Sequence, residues 1–271
     1  IGCFEEACRN VVCTGATPIG MVDHLQFGNP EDPEIFWTFM ESLEGLTDFA
    51  KFLKIPCVGG KVSFYNETPS GPIKPTPLIG VLGIINKTPL HPIPPEPGDY
   101  LVIVGNTKNE LGGSEYFEYI DDFIGGICPT VDFKSSKSNM LSVLSLIQQD
   151  LVKSVHDCAK GGISIAVSEM SVFGGVGCDI DIAKSPSEKN IHSEQLLFSE
   201  SHSRYLLVIT KKNIKQVKQI LAKKKNPFGV LGTFTSDQIS INHKSKNLVK
   251  VNIDTAQRKY FNALKEILDN G

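Results

Sequence analysis

The sequence predicts an α/β fold in two parts. Segments with helical periodicity alternate with short, apolar, strand-like runs along the whole chain. Five prolines fall between Thr88 and Gly98, and they predict a stiff, extended connector. At 271 residues, of which 41% are hydrophobic and 21% charged, the chain can bury a sizeable core. We therefore expect a first domain at 1–88, a linker at 89–98 and a second domain at 99–271.

The first domain is predicted as helix, strand, helix, strand, strand. Asp32 is a suitable N-cap and Pro33 a suitable first residue for the second helix. Trp37 could stack on a ligand, but core or half-buried packing explains it more simply. The apolar stripe of this helix is Phe36, Phe39, Met40, Leu43 and Leu46. The elements are Phe4–Val12, Pro18–Phe27, Pro33–Leu53 and two buried strands, Ile55–Tyr65 and Thr76–Ile85.

The second domain is predicted as strands interleaved with helices, with a polar loop at Ala183–Ser193. A Gly-Gly turn at 112–113 precedes a helix or loop, and another at 161–162 begins a helix. The strands are Tyr100–Gly105, Ser154–Cys158, Val176–Ile182, Tyr205–Thr210, Gly229–Thr235, Ile239–Ile241 and Leu248–Ile253. The helices are Ser138–Leu151, Ile163–Val172, Lys211–Lys224 and Thr255–Leu268.

Composition argues against nucleic-acid and membrane partners. The net charge is −3, and the lysine clusters at 211–225 and 244–250 are interpreted as solvated faces. No run approaches the roughly 20 apolar residues of a membrane helix, and no signal-peptide pattern is visible. The sequence does not begin with Met, so we expect a piece of a longer cytoplasmic protein.

The seven cysteines are interpreted as buried, reduced thiols. None forms a Cys-x-x-Cys pair and their number is odd. Cys3, Cys8 and Cys13 are five residues apart, so they point in different directions on one helix. This spacing disfavours metal or disulfide roles and suits a reducing compartment.

The stretch from Val58 to Glu67 carries the strongest local signal for a ligand. Gly59-Gly60 could form a concave nest of backbone N–H groups for phosphate, or only a bulge or tight turn. A cation, a hydroxyl, an amide and a carboxylate follow, as a phosphate and its metal ion require: Lys61, Ser63, Asn66 and Glu67.

Two acidic positions are further candidates. Asp23 lies in a mostly apolar strand, where a charge costs free energy unless it is paired or bound. The alternative is an exposed edge or a local hydrogen bond. In the second domain a short strand ends in His156-Asp157 just before Gly161-Gly162, an arrangement that suits a metal or phosphate site.

Taken in order, these motifs resemble the synthetase subunit of phosphoribosylformylglycinamidine synthase, of the small PurL type, in the AIR-synthase superfamily. The resemblance covers nearly the whole chain; single motifs are loose, but the ordered set is specific. It rests on residues 10–16, 23–30, 58–67, 75–77, 111–116, 156–162 and 197–201. It implies a PurM-like two-domain unit, with a sheet-forming N-terminal domain and a mixed-sheet C-terminal α/β domain. Family members contain two such units related by pseudo-twofold symmetry, and this chain resembles the second.

The resemblance also implies roles for individual residues. Asp23 and Gly60 are expected to contact ATP, and Ser63 the formylglycinamide ribonucleotide. Lys61 stands where the family usually has an Asn that binds Mg²⁺, and a charged ammonium has no lone pair for a metal. Either Lys61 contacts phosphate directly, which we favour, or this branch holds fewer metal ions. The catalytic histidines belong to the first unit, so we expect no catalytic residue in this half.

A mirrored site in the second domain is the remaining expectation. In the first unit the matching positions bind metal and substrate, and in large relatives the mirrored site holds a structural nucleotide. The alternative is a satisfied buried polar network. The residues concerned are His156, Asp157, Glu200, Ser201 and His202.

The implied reaction uses ATP and Mg²⁺ to convert the ribonucleotide amide into an amidine through an iminophosphate. Expected partners are the N-terminal half of the same enzyme, a glutaminase subunit that supplies ammonia, and a small helper subunit. Alone, the chain is expected to be inactive and to form a homodimer through its apolar sheet edge. One alternative is a structural or nucleotide-binding half without catalysis. Another is a different ATP enzyme of the superfamily, namely aminoimidazole ribonucleotide synthase, selenophosphate synthetase or a thiamine-phosphate kinase relative.

Overall fold

The computed structural model describes residues 1–85 and 93–269, and it confirms the α/β class. Within these ranges the helices are α1 (Gly2–Cys13), α2 (Pro33–Leu53), α3 (Glu115–Asp121), α4 (Phe133–Gln148), α5 (Gly162–Gly174), α6 (Ser193–Phe198), α7 (Ile214–Lys223) and α8 (Ile253–Asp269). The strands are β1 (Thr17–Gln26), β2 (Cys57–Ser63), β3 (Glu67–Thr68), β4 (Gly71–Pro72), β5 (Thr76–Ile84), β6 (Tyr100–Val104), β7 (Ser154–Asp157), β8 (Gly177–Asp181), β9 (Tyr205–Ile209), β10 (Phe228–Thr235), β11 (Gln238–His243) and β12 (Lys246–Asn252).

The first domain contains a three-stranded sheet with the order β2-β1-β5. β1 and β2 are parallel, so α2 forms the crossover between them, and β5 pairs antiparallel on the other side of β1. The predicted start of α2 is confirmed, because the Asp32 carboxylate accepts hydrogen bonds from the N–H groups of Glu34 and Ile35. The helix ends at Lys54, which has a left-handed conformation with φ 62°.

The second domain is built on a seven-stranded mixed sheet with the order β12-β11-β8-β10-β6-β9-β7. β8 and β11 are parallel, and the other neighbours are antiparallel. One face of this sheet packs against α5 and α6, where Ile163 and Leu197 are buried. The other face shares a core with the first domain, since Phe4, Phe49 and Val102 belong to one buried cluster. The two domains are therefore joined by continuous apolar packing.

A buried ionic network reinforces that junction. Arg9 on α1 places its Nε 3.4 Å from Glu5 Oε2 and its Nη2 3.5 Å from Asp157 Oδ2 at the end of β7. Glu5 Oε1 also accepts hydrogen bonds of 3.1 Å from the hydroxyls of Ser136 and Ser203. Arg9 and Glu5 are essentially inaccessible to solvent. Because buried charges need partners, α1 is held in one position on the second domain.

The ionisation of Glu5 depends on this network. Burial opposes ionisation, but Arg9 and then His202 outweigh it and hold the pKa of Glu5 below its ordinary value of 4.5. A lowered folded-state pKa contributes stability that is fully present above the unfolded value. That contribution is lost as the pH falls through the folded-state pKa, so the network weakens only in acid.

The expectation of two buried strands after α2 is wrong. β2 is exposed along nearly its whole length, and β5 alternates between exposed and half-buried positions. The outer face of the small sheet has no covering layer among the described residues. Val22, Val58, Leu78 and Leu82 are exposed there. The strands were located correctly, but their burial requires a surface that this part of the chain does not supply.

The expected apolar stripe of α2 is also only partly correct. Its second half packs inward, with Leu46 and Phe49 buried. In its first half Phe39 is half-buried and packs edge-on against Phe27 and Phe64. However, Phe36 and Met40 are each 47% exposed, and Trp37 is 60% exposed. The prediction of core or half-buried packing for Trp37 is therefore wrong, because no described element covers the face of the helix on which Trp37 lies.

Several smaller expectations need correction. α4 begins at Phe133, earlier than predicted, because the Asp132 carboxylate caps it. The predicted polar loop at 183–193 contains part of a 3₁₀ turn at 182–184 and leads into α6. The first part of the predicted connector, residues 89–92, lies outside the described residues. Its last part is held by Lys153, whose ammonium lies 3.0 Å from Glu96 and 2.8 Å from Asp99.

The seven cysteines are free thiols, but they are not all buried. Cys57 and Cys128 are exposed. Burial raises the pKa of Cys8 to about 12 and that of Cys158 to about 11, so these two stay protonated at neutral pH. None of the helices in 1–85 and 93–269 has the length and hydropathy that crossing a bilayer requires.

Replacing Arg9 with Ala should destabilise the chain strongly. The substitution leaves two buried carboxylates without their cation, at a cost of about 3 kcal/mol in the free energy of unfolding at pH 7. Urea denaturation measures this, and the difference from the wild type should shrink below pH 4.5 as Glu5 becomes protonated. The exposed Lys224→Ala variant is the control and should change stability by less than about 0.5 kcal/mol. Equal, small effects in both variants would show that the network does not hold α1.

Candidate functional site

The candidate site is centred on the register of β1 and β2, in which Asp23 lies opposite Gly60. A Cβ atom at position 60 would lie 2.9 Å from Asp23 Cγ and still closer to one of its oxygens. Real Cβ atoms essentially never approach so closely, so the Asp23 carboxylate occupies the space that a side chain at 60 would take. Glycine at 60 is explained by this close approach.

The expected nest at Gly59-Gly60 is not formed. Both glycines lie within β2, and neither has a positive φ. The register shifts from Met21 opposite Cys57 to Val22 opposite Gly59, so the strand contains a bulge at position 58. The alternative of a bulge is therefore confirmed, because pairing with β1 keeps the backbone extended.

The residues predicted to contact ATP and the ribonucleotide lie on different faces of the sheet. Asp23 and Gly60 face α2. Lys61 and Ser63 follow one and three residues later on β2, so the alternation of a strand places them on the opposite face. β2 is an edge strand of this sheet. A ligand along its free edge could therefore contact side chains of both faces and unpaired backbone groups between them.

A cavity of ≈ 520 Å³ lies between α2 and the β1–β2 pair, with Asp23 in its wall. Most of the lining is apolar and includes Leu43, Leu46 and Ile55. Lys51 and Lys54, both exposed, add positive charge to the lining. The arrangement suits a flat apolar group that carries a hydrogen-bond donor for the carboxylate and an anionic substituent.

Sequence reasoning missed four polar residues that line this cavity, namely Thr47, Lys51, Lys54 and Cys57. Lys51 follows Thr47 by four residues on α2, a spacing that places both on one side of the helix. Cys57 starts β2, and its Sγ lies 3.6 Å from Asp23 Oδ2 and 3.3 Å from the carbonyl oxygen of Gly59. Helical spacing could have linked Thr47 to Lys51, but nothing local in the sequence places α2 over Asp23.

The polar residues after Ser63 fix a loop. The Asn66 side chain donates to the carbonyl oxygens of Phe27 at 3.0 Å and Ser63 at 2.9 Å. Glu67 accepts a 3.2 Å hydrogen bond from the backbone N–H of Asn29. Residues 58–67 are thus bound to residues 23–30. The sequence suggested Asn66 and Glu67 for a phosphate and its metal ion. In the structure their side chains instead fix the backbone of this loop.

The residues of the expected mirrored site already have partners within the chain. Glu200 accepts hydrogen bonds from backbone N–H groups at the first residue of α3 and just before α5. The Ser201 hydroxyl accepts from the backbone N–H of Lys108 at 3.0 Å. Asp157 faces Arg9 in the buried network. These contacts favour a polar network within the chain, in which Asp157 Oδ2 is buried next to Arg9 without a hydrogen-bond partner among the described residues. A ligand role for the three residues stays a prediction.

The two histidines of the expected mirrored site also lie beside carboxylates of the same chain. His156 Nε2 lies 3.4 Å from Glu169, and His202 Nδ1 lies 3.4 Å from Glu5. Among residues 1–85 and 93–269, no group of three or more His, Cys, Asp or Glu side chains is arranged to hold a metal ion. Lys61 cannot ligate Mg²⁺ while charged. The described residues therefore do not form a magnesium site by themselves.

Comparison with known families matches both domains. The family described as AIR synthase related protein, N-terminal domain, matches residues 2–85, and its C-terminal domain counterpart matches residues 96–244. The phosphoribosylformylglycinamidine synthase subunit PurL of Thermococcus sibiricus is 40% identical over 265 residues, covering 97% of this chain and 36% of that relative. The PurL of Pyrococcus abyssi is 36% identical over 269 residues, covering 99% and 36%. The chain thus spans about a third of the length of these relatives.

Solved structures show the same fold at low identity. T. maritima PurL complexed with ATP matches with a TM-score of 0.75 at 20% identity, covering 94% of this chain and 40% of that one. Its complex with FGAR gives 0.78 at 20% identity, covering 94% and 42%. The structure of PurLQS from Thermotoga maritima gives 0.71 at 20% identity, covering 92% and 40%. At this level of identity the likeness shows the fold alone.

The close approach of Asp23 to Gly60 predicts a marked difference between two neighbouring glycines. Gly60→Ala forces the Asp23 carboxylate into a less favourable rotamer and should lower the free energy of unfolding by roughly 0.5–1.5 kcal/mol. Gly59→Ala is the matched control, because its Cβ would meet nothing closer than 3.9 Å. Urea denaturation of both variants measures the difference. Adding Asp23→Ala to Gly60→Ala should restore most of the loss, and no recovery would contradict the steric explanation.

Proposed function

The chain belongs to the AIR synthase-related family, and we propose that it is the second half of an ATP-dependent, amidine-forming ligase of purine biosynthesis. The observation that carries the proposal is the fit of Asp23 against Gly60 beside a large, mainly apolar cavity. The identity of 40% and 36% to two PurL subunits supports this ligase over other ATP enzymes of the superfamily. We place the protein in the cytoplasm, where free thiols such as the exposed Cys57 persist.

ATP binding is assigned to the cavity and the free edge of β2. The apolar wall suits the base, and the Asp23 carboxylate can accept a hydrogen bond from an amino or hydroxyl group of the nucleoside. Phosphates would be repelled by Asp23, so they are assigned to the side of β2 that is turned away from the carboxylate. The ammonium of Lys61 and the unpaired backbone groups of the free edge next to Gly60 are available there. This division follows from the placement of Asp23 and Lys61 on different faces of the sheet.

The proposed reaction has two steps. The amide oxygen of formylglycinamide ribonucleotide attacks the γ-phosphorus of ATP, which releases ADP and leaves an iminophosphate. Ammonia then attacks the carbon that bears the phosphate group. Phosphate departs with the electrons of the C–O bond, and the added nitrogen loses a proton, which gives the amidine. In this chain Gly60 and Lys61 hold the phosphates, and the Ser63 hydroxyl positions the ribonucleotide. Phosphoryl transfer depends mainly on such positioning and charge neutralisation.

The remaining parts are assigned to other segments. We assign the Mg²⁺ ligands and the catalytic histidines to the first half of the enzyme, since the described residues lack a metal-binding group. We infer a glutaminase subunit and a small helper subunit as partners. The structure of a PurLQS assembly from Thermotoga maritima supports the presence of further subunits.

Turnover by the full-length protein and by this chain alone tests the proposal. We expect the chain alone to bind ATP, and only the full-length protein to consume it in the presence of ammonia and formylglycinamide ribonucleotide. Asp23→Ala should weaken ATP binding by the chain about tenfold, because it removes a hydrogen bond to a charged group. Calorimetry and ADP release measure the two effects. Absence of ATP binding would contradict the nucleotide role, and robust turnover by the chain alone would contradict the assignment as half an enzyme.

Lys61 provides a separate prediction about the metal. If its ammonium contacts phosphate directly, Lys61→Asn in the full-length enzyme removes that charge and adds an oxygen ligand. We expect the KM for ATP to rise and the Mg²⁺ dependence of turnover to change. Steady-state kinetics across a range of Mg²⁺ concentrations measure both, and unchanged values of both would remove the proposed role.

We expect the isolated chain to self-associate, because the outer face of its small sheet exposes apolar side chains. We propose that the sister half covers this face in the full-length enzyme, and that a second copy covers it when the chain is alone. Sedimentation velocity should show a dimer, and Leu82→Glu should abolish it by placing a charge on that face. Leu141→Glu, at an exposed position on α4, is the control and should leave the dimer intact. A chain that stays monomeric at high concentration would refute the proposed pairing.

A further inference from the structure

One region of the surface carries positive charge without compensation. Seven lysines lie on α7 and its two flanks, and we call them the lysine surface: Lys211, Lys212, Lys215, Lys218, Lys223, Lys224 and Lys225. No aspartate or glutamate occurs in the sequence between Glu200 and Asp237. The chain as a whole has 27 basic and 30 acidic residues, so this local separation of charge is a specific feature.

The lysine surface is fully available to a partner. All seven side chains are exposed. Among the described residues none of them takes part in an ion pair, whereas Lys153 is paired with two carboxylates. Lys215 and Lys218 are three residues apart on α7, a spacing at which like charges repel one another. The unpaired charge therefore favours an anionic partner.

A groove next to the lysine surface provides an apolar contact. It measures ≈ 400 Å³ and lies between α7 and strands β6 and β10. Tyr100, Ile214 and Val230, all half-buried, give it an apolar component, and Lys215 and Lys218 line it as well. The site thus combines an apolar contact with two adjacent ammonium groups.

We propose that this groove docks an acidic segment of a partner protein. An aliphatic or aromatic side chain of that segment packs against Ile214 and Val230, and flanking carboxylates pair with Lys215 and Lys218. In such a site the apolar anchor fixes the position of the segment along the groove, and the opposite charges increase the rate of association.

Two other anionic partners fit less well. Without the seven lysines the net charge of −3 becomes −10, so a long nucleic acid is repelled by the rest of the chain. Membrane-surface helices present an exposed apolar face beside their lysines, whereas Val217 and Leu221 of α7 are completely buried. A short acidic peptide needs only the groove and its immediate surroundings.

Fluorescence anisotropy with a labelled peptide tests the proposal. The probe is acetyl-Glu-Glu-Leu-Phe-Glu-Glu-amide, and the comparison peptide replaces its central Leu-Phe with Gly-Ser. We expect the first to bind the chain at least fivefold more tightly than the second. The double variant Lys215→Glu/Lys218→Glu should weaken binding at least tenfold, and Ile214→Ser should remove the preference for the apolar anchor. Circular dichroism confirms that each variant is folded.

A charge-matched control separates docking from general attraction. Lys246→Glu/Lys250→Glu reverses two exposed lysines on β12, an edge strand separated from β10 by two other strands, and should leave binding unchanged. An equal loss in this control would overturn the proposal, because it would show attraction to total charge. Tighter binding of a twelve-nucleotide uridine RNA, or of phosphatidylserine vesicles, than of the anchored peptide would also overturn it.

Discussion

The candidate site depends on the in-register pairing of β1 with β2. This pairing sets Asp23 against Gly60, where only a missing side chain makes room for the carboxylate. The crossover helix α2 then closes the cavity in which Asp23 lies. Because strand residues alternate between faces, the same register sends Lys61 and Ser63 to the other side. One local constraint therefore separates the region assigned to the nucleoside from the region assigned to phosphates and the second substrate.

One side of the first domain packs against the second domain, whereas its other side has no covering layer among the described residues. The buried network around Arg9 and the shared apolar core fix α1 against the second domain. By contrast, the outer face of the small sheet and the first half of α2 leave apolar side chains such as Val58 and Trp37 exposed. Exposed apolar area of this kind usually marks an interface. This asymmetry is the physical basis for assigning a sister half to that face.

Local signals in the sequence predicted the positions of the elements well. The helix from Pro33 to Leu53 has the predicted bounds, because an N-cap aspartate, a proline at the first turn and a long apolar period agree. Asp23 and Gly60 were predicted to contact the same nucleotide, and the strands that carry them pair directly. The failures concern burial and long-range contacts. A period of two cannot tell whether the second face of a sheet is covered, so the burial of β2 was predicted wrongly.

Other failures have equally physical causes. Gly59-Gly60 can adopt either a nest or an extended strand. Pairing with β1 stabilises the extended strand. The contact between Arg9 and Asp157 joins residues far apart in sequence, and no local pattern encodes it. Asn66 was predicted to bind a phosphate or its metal ion through its side-chain amide. In the structure that amide instead donates hydrogen bonds to the backbone carbonyl oxygens of Phe27 and Ser63.

The most direct test of the central claim is a crystal structure of the chain with a non-hydrolysable ATP analogue. We expect the base in the cavity beside α2, with Asp23 accepting a hydrogen bond from the nucleoside and the phosphates along the edge of β2 near Gly60. An analogue bound elsewhere, or a cavity filled by side chains with Asp23 turned to bulk solvent, would contradict this expectation.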